Sequence, residues 1–173
     1  GKEEDADTHA YRKAGAAVVA ARKKTHGSDL TVRFAGTSIE CMGAFAEGML
    51  LRDYSYDEYK MQKEEDKEAE RNVRITCDEG QEEALEALVK VYAGVASGVH
   101  LSRDLGNCPP NDMYPEAYSD MAWEWAKQYE NVEVTIINYE HAMKAGMGGL
   151  VAVGMGSSRN PCMVIFEMNK EKE

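Results

Sequence analysis

The chain predicts an α/β fold, and three observations carry the prediction. Short β-branched stretches alternate with longer stretches of helical period. Glycines and prolines punctuate the joins. Hydrophobic residues make up 43% of the 173, enough for a core. After a first helix the order is strand, helix, strand, helix, then helix, strand, helix, strand, strand, which predicts mixed sheets and shows no internal repeat.

Residues 9–24 place Tyr11, Ala14, Val18 and Ala21 on one helical face, with Arg and Lys at 22–24 suiting the negative end of the dipole. Gly27 supplies the stop. Leu30–Phe34 alternates as a short strand. Thr37 or Ser38 can cap the helix at 39–51, whose face is Ile39, Met42, Phe45, Ala46 and Met49; Gly43, Ala44 and Gly48 would let a neighbour come close. The charge run Lys63–Arg71 reads as a solvated loop or ragged turn. Val73, Ile75 and Cys77 alternate as a second strand, broken at Asp78-Glu79-Gly80.

Gln81 to about Ser102 is the longest helix, with a stripe of Leu85, Leu88, Val89, Tyr92, Val95, Ala96 and Val99. Gly94 and Gly98 each cost it roughly 1 kcal/mol, which predicts a backbone packed close to them. Pro109 and Pro110 require it to end before they begin. Pro115 suits the first turn of a helix at 115–129. Val132–Ile137 is a β-branched strand, Tyr139–Ala145 a short helix ended by Gly146, Leu150–Val153 a buried strand, Gly154–Asn160 a turn, and Cys162–Met168 a last strand.

Net charge is −11, from 31 acidic and 20 basic residues. Phosphate backbones are bound through Lys and Arg, so nucleic acid is not an expected partner. No apolar run approaches the roughly 18–20 residues of a membrane span, so no membrane partner is expected either. The first residues lack the apolar core of a signal peptide, and a start without Met fits a processed or excised segment.

Cys41, Cys77, Cys108 and Cys162 are widely spaced, with no CxxC pair and no histidine at zinc-site spacing; reduced thiols are expected. Cys108 has no base nearby in sequence to make it a nucleophile. His9, His26, His100 and His141 include no i, i+4 pair. His100 is expected to oppose a helix dipole. The acidic group Glu64–Glu70 lacks the spacing of a calcium loop. The glycine runs at 146–149 and 154–156 lack the Walker pattern and read as packing turns. Trp123 and Trp125 point to different sides of one helix, one to the core and the other to a domain or subunit contact. Arg103-Asp104 reads as a local ion pair holding the joint.

Four ordered stretches carry a resemblance. They are Arg103-Asp104-Leu105-Gly106-Asn107-Cys108-Pro109-Pro110-Asn111 running into Tyr114-Pro115; Gly146–Ser157; Pro161 with its strand; and, upstream, Ala46-Glu47-Gly48 with Tyr54–Lys60. They resemble the leucyl aminopeptidase family, with its RDLxNxPxN, LGMGGLxAVGxGS, PxLIxLEY and AEG…YxFDxYK segments. Cys108 and Met168 depart from the family pattern at positions without a family role.

The resemblance implies a partial macro-domain-like unit at 1–79, an interdomain helix at 80–102, and the opening α/β portion of a metallo-aminopeptidase catalytic domain at 103–173. It implies a parent enzyme that removes N-terminal residues from peptides with two divalent metal ions, Zn or Mn, in the cytoplasm and as a homo-oligomer, hexameric in the family. The family's metal and catalytic residues lie in GKGxTFDxGG and NTDAEGR segments, and neither occurs here. No catalytic, metal-ligating or substrate-binding residue is therefore assigned, no metal is expected on this segment, and it is expected to be inactive alone. The alternative is a stand-alone binding or oligomerisation module derived from the same family.

Overall fold

The computed structural model describes residues 6–22, 29–61 and 72–169. His26, Gly27, Lys23, Lys24 and the charge run Lys63–Arg71 lie outside the described residues. The chain separates into two compact units, residues 1–107 and 108–173.

The first unit contains α1 (Thr8–Arg22), β1 (Leu30–Arg33), α2 (Ile39–Asp53), β2 (Val73–Thr76) and α3 (Glu82–Asn107). β1 and β2 pair in parallel, Leu30 opposite Val73, as expected of strands joined through a helix. Ser38 is the N-cap of α2, its side chain accepting from the Cys41 N–H. Every residue from Met42 to Gly48 is buried, so α2 is enclosed on all sides rather than along one face.

The α1 face differs from expectation. Gly15 and Val19 are its buried residues, while Ala14 and Ala21 are exposed. The reason is a close crossing: a β-carbon on Gly15 would overlap the Phe45 carbonyl, and one on Gly48 the Arg12 carbonyl. Glycine adds no apolar signal to a periodic pattern, yet here it lets two backbones touch. Arg12 Nε donates to Glu47 at 2.6 Å beside the crossing. Phe34 joins the core through Phe45, 5.2 Å between ring centroids, and Tyr11 at 6.0 Å.

α3 runs 26 residues and continues through Asn107, five beyond the expected end. Leu85 and Ala96 are buried, but Val95 is exposed. Open space surrounds Gly94 and Gly98, which overturns the expectation of a backbone packed there. An 18-residue stretch within the helix is apolar enough, by length and composition alone, to cross a membrane, where the sequence reading expected no stretch to approach a span. The helix carries the Glu86–Lys90 ion pair and packs one side against α2, as a core helix with an uncovered face does.

The second unit contains α4 (Pro115–Ala126), β3 (Val132–Ile137), α5 (Tyr139–Lys144), α6 (Gly148–Gly154) and β4 (Met163–Met168). Pro115 is at the start of α4, which stops three residues earlier than expected. β3 and β4 pair antiparallel, Val132 opposite Met168. Asn138 caps α5, and Gly146 follows it at φ +71°, the left-handed conformation that glycine adopts without strain.

Leu150–Val153 is helical, within α6, not a strand. None of its residues is buried, and Val153 is 83% exposed. Four apolar residues cannot distinguish the two states by period. The Val151 and Met155 N–H groups close helical bonds to Met147 and Val151. Gly154 then lies so near Pro161 that a β-carbon would overlap the proline ring. Trp125 packs edge-on against Phe166 at 5.7 Å, while Trp123 faces outward at 49% exposure.

Candidate functional site

The most developed polar arrangement in the first unit lies where α2 ends. A helix leaves its last four carbonyls without intrahelical partners, and those of α2 include Leu50 and Leu51. His100 Nε2 lies 3.1 Å from the Leu50 carbonyl, and Arg103 Nη1 donates to the Leu51 carbonyl at 2.8 Å. A bond to a carbonyl requires the histidine nitrogen to carry the proton. The Arg103 cation also suits the negative end of the α2 dipole. His100 itself stands seven positions before the end of α3, so it serves the end of α2 instead of its own helix.

Tyr54 is the C-cap residue of α2 and the centre of the arrangement. Its hydroxyl donates to Asp104 at 2.8 Å and accepts from the Asn107 amide at 3.0 Å. The Arg103 guanidinium sits 5.3 Å from the ring centroid, and the His100 ring 5.2 Å, the first within cation–π range. Burial pushes the Tyr54 hydroxyl above its ordinary value; Asn107 opposes that shift and Asp104 adds to it. The phenol therefore stays neutral and able to donate.

Arg103 and Asp104 thus reach the end of α2 separately, which corrects the expectation of a local ion pair. Positions 100, 103, 104 and 107 share one side of a helix. That is why α3 must extend to Asn107 for the arrangement to form. The joint signature and the Tyr54 segment, some fifty residues apart, are two halves of one structure. Sequence reading found both stretches and missed their contact; the helical spacing of Arg103, Asp104 and Asn107 was the available signal.

In the second unit the Cys162 thiol donates to the Pro115 carbonyl at 3.2 Å. Burial pushes it above the ordinary thiol value, nearby Glu116 adds to the shift, and Ser119 opposes it. Such a thiol is a poor nucleophile. Arg159 stacks 3.7 Å from the centroid of Tyr114, the N-cap residue of α4. None of the four cysteines is in a disulfide. His9 and His141 are exposed. Among the described residues no three His, Cys, Asp or Glu side chains gather so as to hold a metal ion. The described residues do not offer the ligand set of a two-metal centre.

Two family models match the chain in order. The cytosol aminopeptidase family N-terminal domain matches residues 1–63, and the catalytic domain of the same family matches residues 100–173. The chain belongs to the cytosol aminopeptidase family. A probable cytosol aminopeptidase of Pseudomonas aeruginosa (strain UCBPP-PA14) is 30% identical over 179 residues, covering 100% of this chain and 36% of the relative. One from Rhizobium leguminosarum bv. trifolii is 34% identical, covering 96% and 34%. The chain therefore spans about a third of the length of these relatives.

Among solved structures, the bottromycin maturation enzyme BotP in complex with Mn matches at TM-score 0.73 and 26% identity, over 92% of this chain and 33% of that one. A tomato leucine aminopeptidase mutant matches at TM-score 0.81 and 24% identity, over 94% and 34%, and shows the shared fold. The family's two matched regions leave out only part of α3 and what precedes it. The Tyr54 arrangement joins residues from the end of one matched region to residues from the start of the other.

Proposed function

We propose that these 173 residues are the later part of the N-terminal domain, the interdomain helix and the opening of the catalytic domain of a leucyl-aminopeptidase-like enzyme. The parent protein hydrolyses N-terminal residues from peptides, with two divalent metal ions supplying Lewis-acid and water-activating chemistry. It is cytoplasmic and homo-oligomeric. This segment positions rather than catalyses: its own residues tie α2 to α3 and begin the catalytic sheet, and it is inactive alone.

The observation that carries this reading is the ordered match of both family domains to one chain. The β3–β4 sheet supports it. Trp125 of α4 packs against Phe166, yet Phe166 and Met168 on that face and Met163 and Ile165 on the other all stay more than one-third exposed. In α/β domains such a face is covered by a second layer. The test is to purify the chain with Mn²⁺ or Zn²⁺ and measure hydrolysis of leucine amide or leucine anilide. No turnover is expected; turnover comparable with a complete family enzyme would overturn the assignment of the chemistry to other residues.

A further inference from the structure

The last turn of α3 runs against its own sequence. Asp104, Gly106 and Asn107 are all poor helix formers, Gly106 the poorest. Asp104 also sets a negative charge near the negative end of the helix, and no basic residue lies in the last turn. Arg103, just before it, directs its Nη1 to the Leu51 carbonyl of α2. Burial does little here: Asp104, Gly106 and Asn107 are exposed, and open space surrounds Gly106. What holds the turn wound is the Tyr54 hydroxyl, bonded to Asp104 at 2.8 Å and to Asn107 at 3.0 Å.

The turn is bounded on both sides. Before it, His100 and Arg103 fasten α3 to the Leu50 and Leu51 carbonyls of α2. After it, Pro109 disfavours helical backbone at Cys108, so the helix has no way onward. The chain is fastened again at Pro109, whose carbonyl accepts from the Asp112 and Met113 N–H groups at 3.0 and 2.8 Å. Residues 104–108 are thus a short connection between two fastened stretches. They contain the boundary between the two compact units, which falls between Asn107 and Cys108.

We propose that residues 104–107 are a latch on the connection between the units, wound while Tyr54 holds them and unwound when it lets go. Four residues span about 6 Å as helix and about 13 Å as extended chain. Opening therefore lengthens the connection by about 7 Å and frees the backbone torsions that fix its direction. The two states lie close in free energy. A turn that its own residues disfavour is balanced against two surface hydrogen bonds, each of modest net worth. Opening stops at Arg103, where the carbonyls of α2 hold the helix, and at Pro109. Any contact of the second unit that favours the longer reach draws Asn107 away from Tyr54, so the end of α2 responds to it.

This inference goes beyond the peptidase reading and stands on contacts within the chain; the hydrolysis assay neither supports nor weakens it. The test is amide hydrogen exchange and small-angle scattering of the 173-residue chain and its variants. In the unaltered chain, exchange at 104–107 should run about ten-fold faster than at Val99–Leu101. Tyr54→Phe should speed it roughly five-fold more and raise the radius of gyration, while Leu85–Val89 keep their rate. Gly106→Ala has nothing within 4 Å of its added β-carbon and should slow exchange at 104–107 roughly five-fold. Joined to Tyr54→Phe, it should restore both the rate and the radius of the unaltered chain. Rescue by helix propensity marks a winding equilibrium, because the alanine replaces none of the lost hydrogen bonds. Uniform acceleration along α3 in Tyr54→Phe, failure of Gly106→Ala to reverse it, or a radius indifferent to both changes overturns the proposal.

Discussion

The carbonyl of Arg12 occupies the space that a β-carbon on Gly48 would need. The obstacle is backbone, not a side chain that can rotate away, and Gly15 meets the Phe45 carbonyl in the same crossing. Gly48→Ala should therefore destabilise the first unit by about 2–3 kcal/mol through overpacking, despite the better helix propensity of alanine. Urea unfolding of the chain measures it; a neutral result would mean that α1 and α2 separate freely.

The same substitution should have the opposite sign on α3. Gly94 and Gly98 have nothing within 4 Å of an added β-carbon. Gly94→Ala or Gly98→Ala should stabilise by about 0.5–1 kcal/mol each from helix propensity. The midpoint of urea unfolding should rise with an unchanged slope.

Glu47 is only 9% exposed and faces Arg12. Arg12→Leu leaves that carboxylate without its cation and should cost about 3 kcal/mol. The double change Arg12→Leu with Glu47→Leu should recover most of the loss, since the buried charge is then gone. A double-mutant cycle checks the coupling.

Tyr54→Phe deletes the hydroxyl that Asp104 and Asn107 share. Both partners are exposed and can turn to water, so the cost should be about 1 kcal/mol. The local effect should exceed the global one: amide exchange at 103–107 should accelerate more than exchange at Leu85–Val89. Uniform acceleration along α3 would show that the hydroxyl does not secure the last turns.

Two acids have folded-state values above their ordinary ones, Cys162 above 9.0 and Tyr54 above 10.0. In each case folding favours the neutral form. Their contributions are complete below the ordinary value and are lost as pH rises through the raised one. Thermal stability should hold from neutral pH to about 9 and then fall, and Cys162→Ser should remove the first part of the fall. Iodoacetamide should label Cys162 slowly at pH 8, since the thiolate is the reactive form.

Much of the fold was legible in sequence because local chemistry and tertiary structure agree. Ser38 before Ile39, Pro115 at a first turn, Gly146 after a short helix and the β-branched run at 132–137 all act as their side chains dictate. Leu150–Val153 was not legible, because four apolar residues suit either state and the bonds that decide come from Met147 and Met155. The inward face of α1 was hidden for a different reason: its central contact is Gly15, which has no side chain to signal burial. The two prolines after Cys108 set a limit for α3 without locating its end. That end is held by contacts to residues about fifty positions earlier, and no local pattern records them. The signature at 103–107 was thus readable as a mark of family and unreadable as a set of contacts.

The extension of α3 to Asn107 makes the signature sensitive to length as well as composition. Each residue advances a helix by about 100°, so one residue inserted between Leu105 and Asn107 would swing the Asn107 amide to another side of the rod. Arg103 and Asp104 would keep their places, and Tyr54 would lose one of two bonds with every original side chain still present. Spacing, in this stretch, carries as much of the message as spelling.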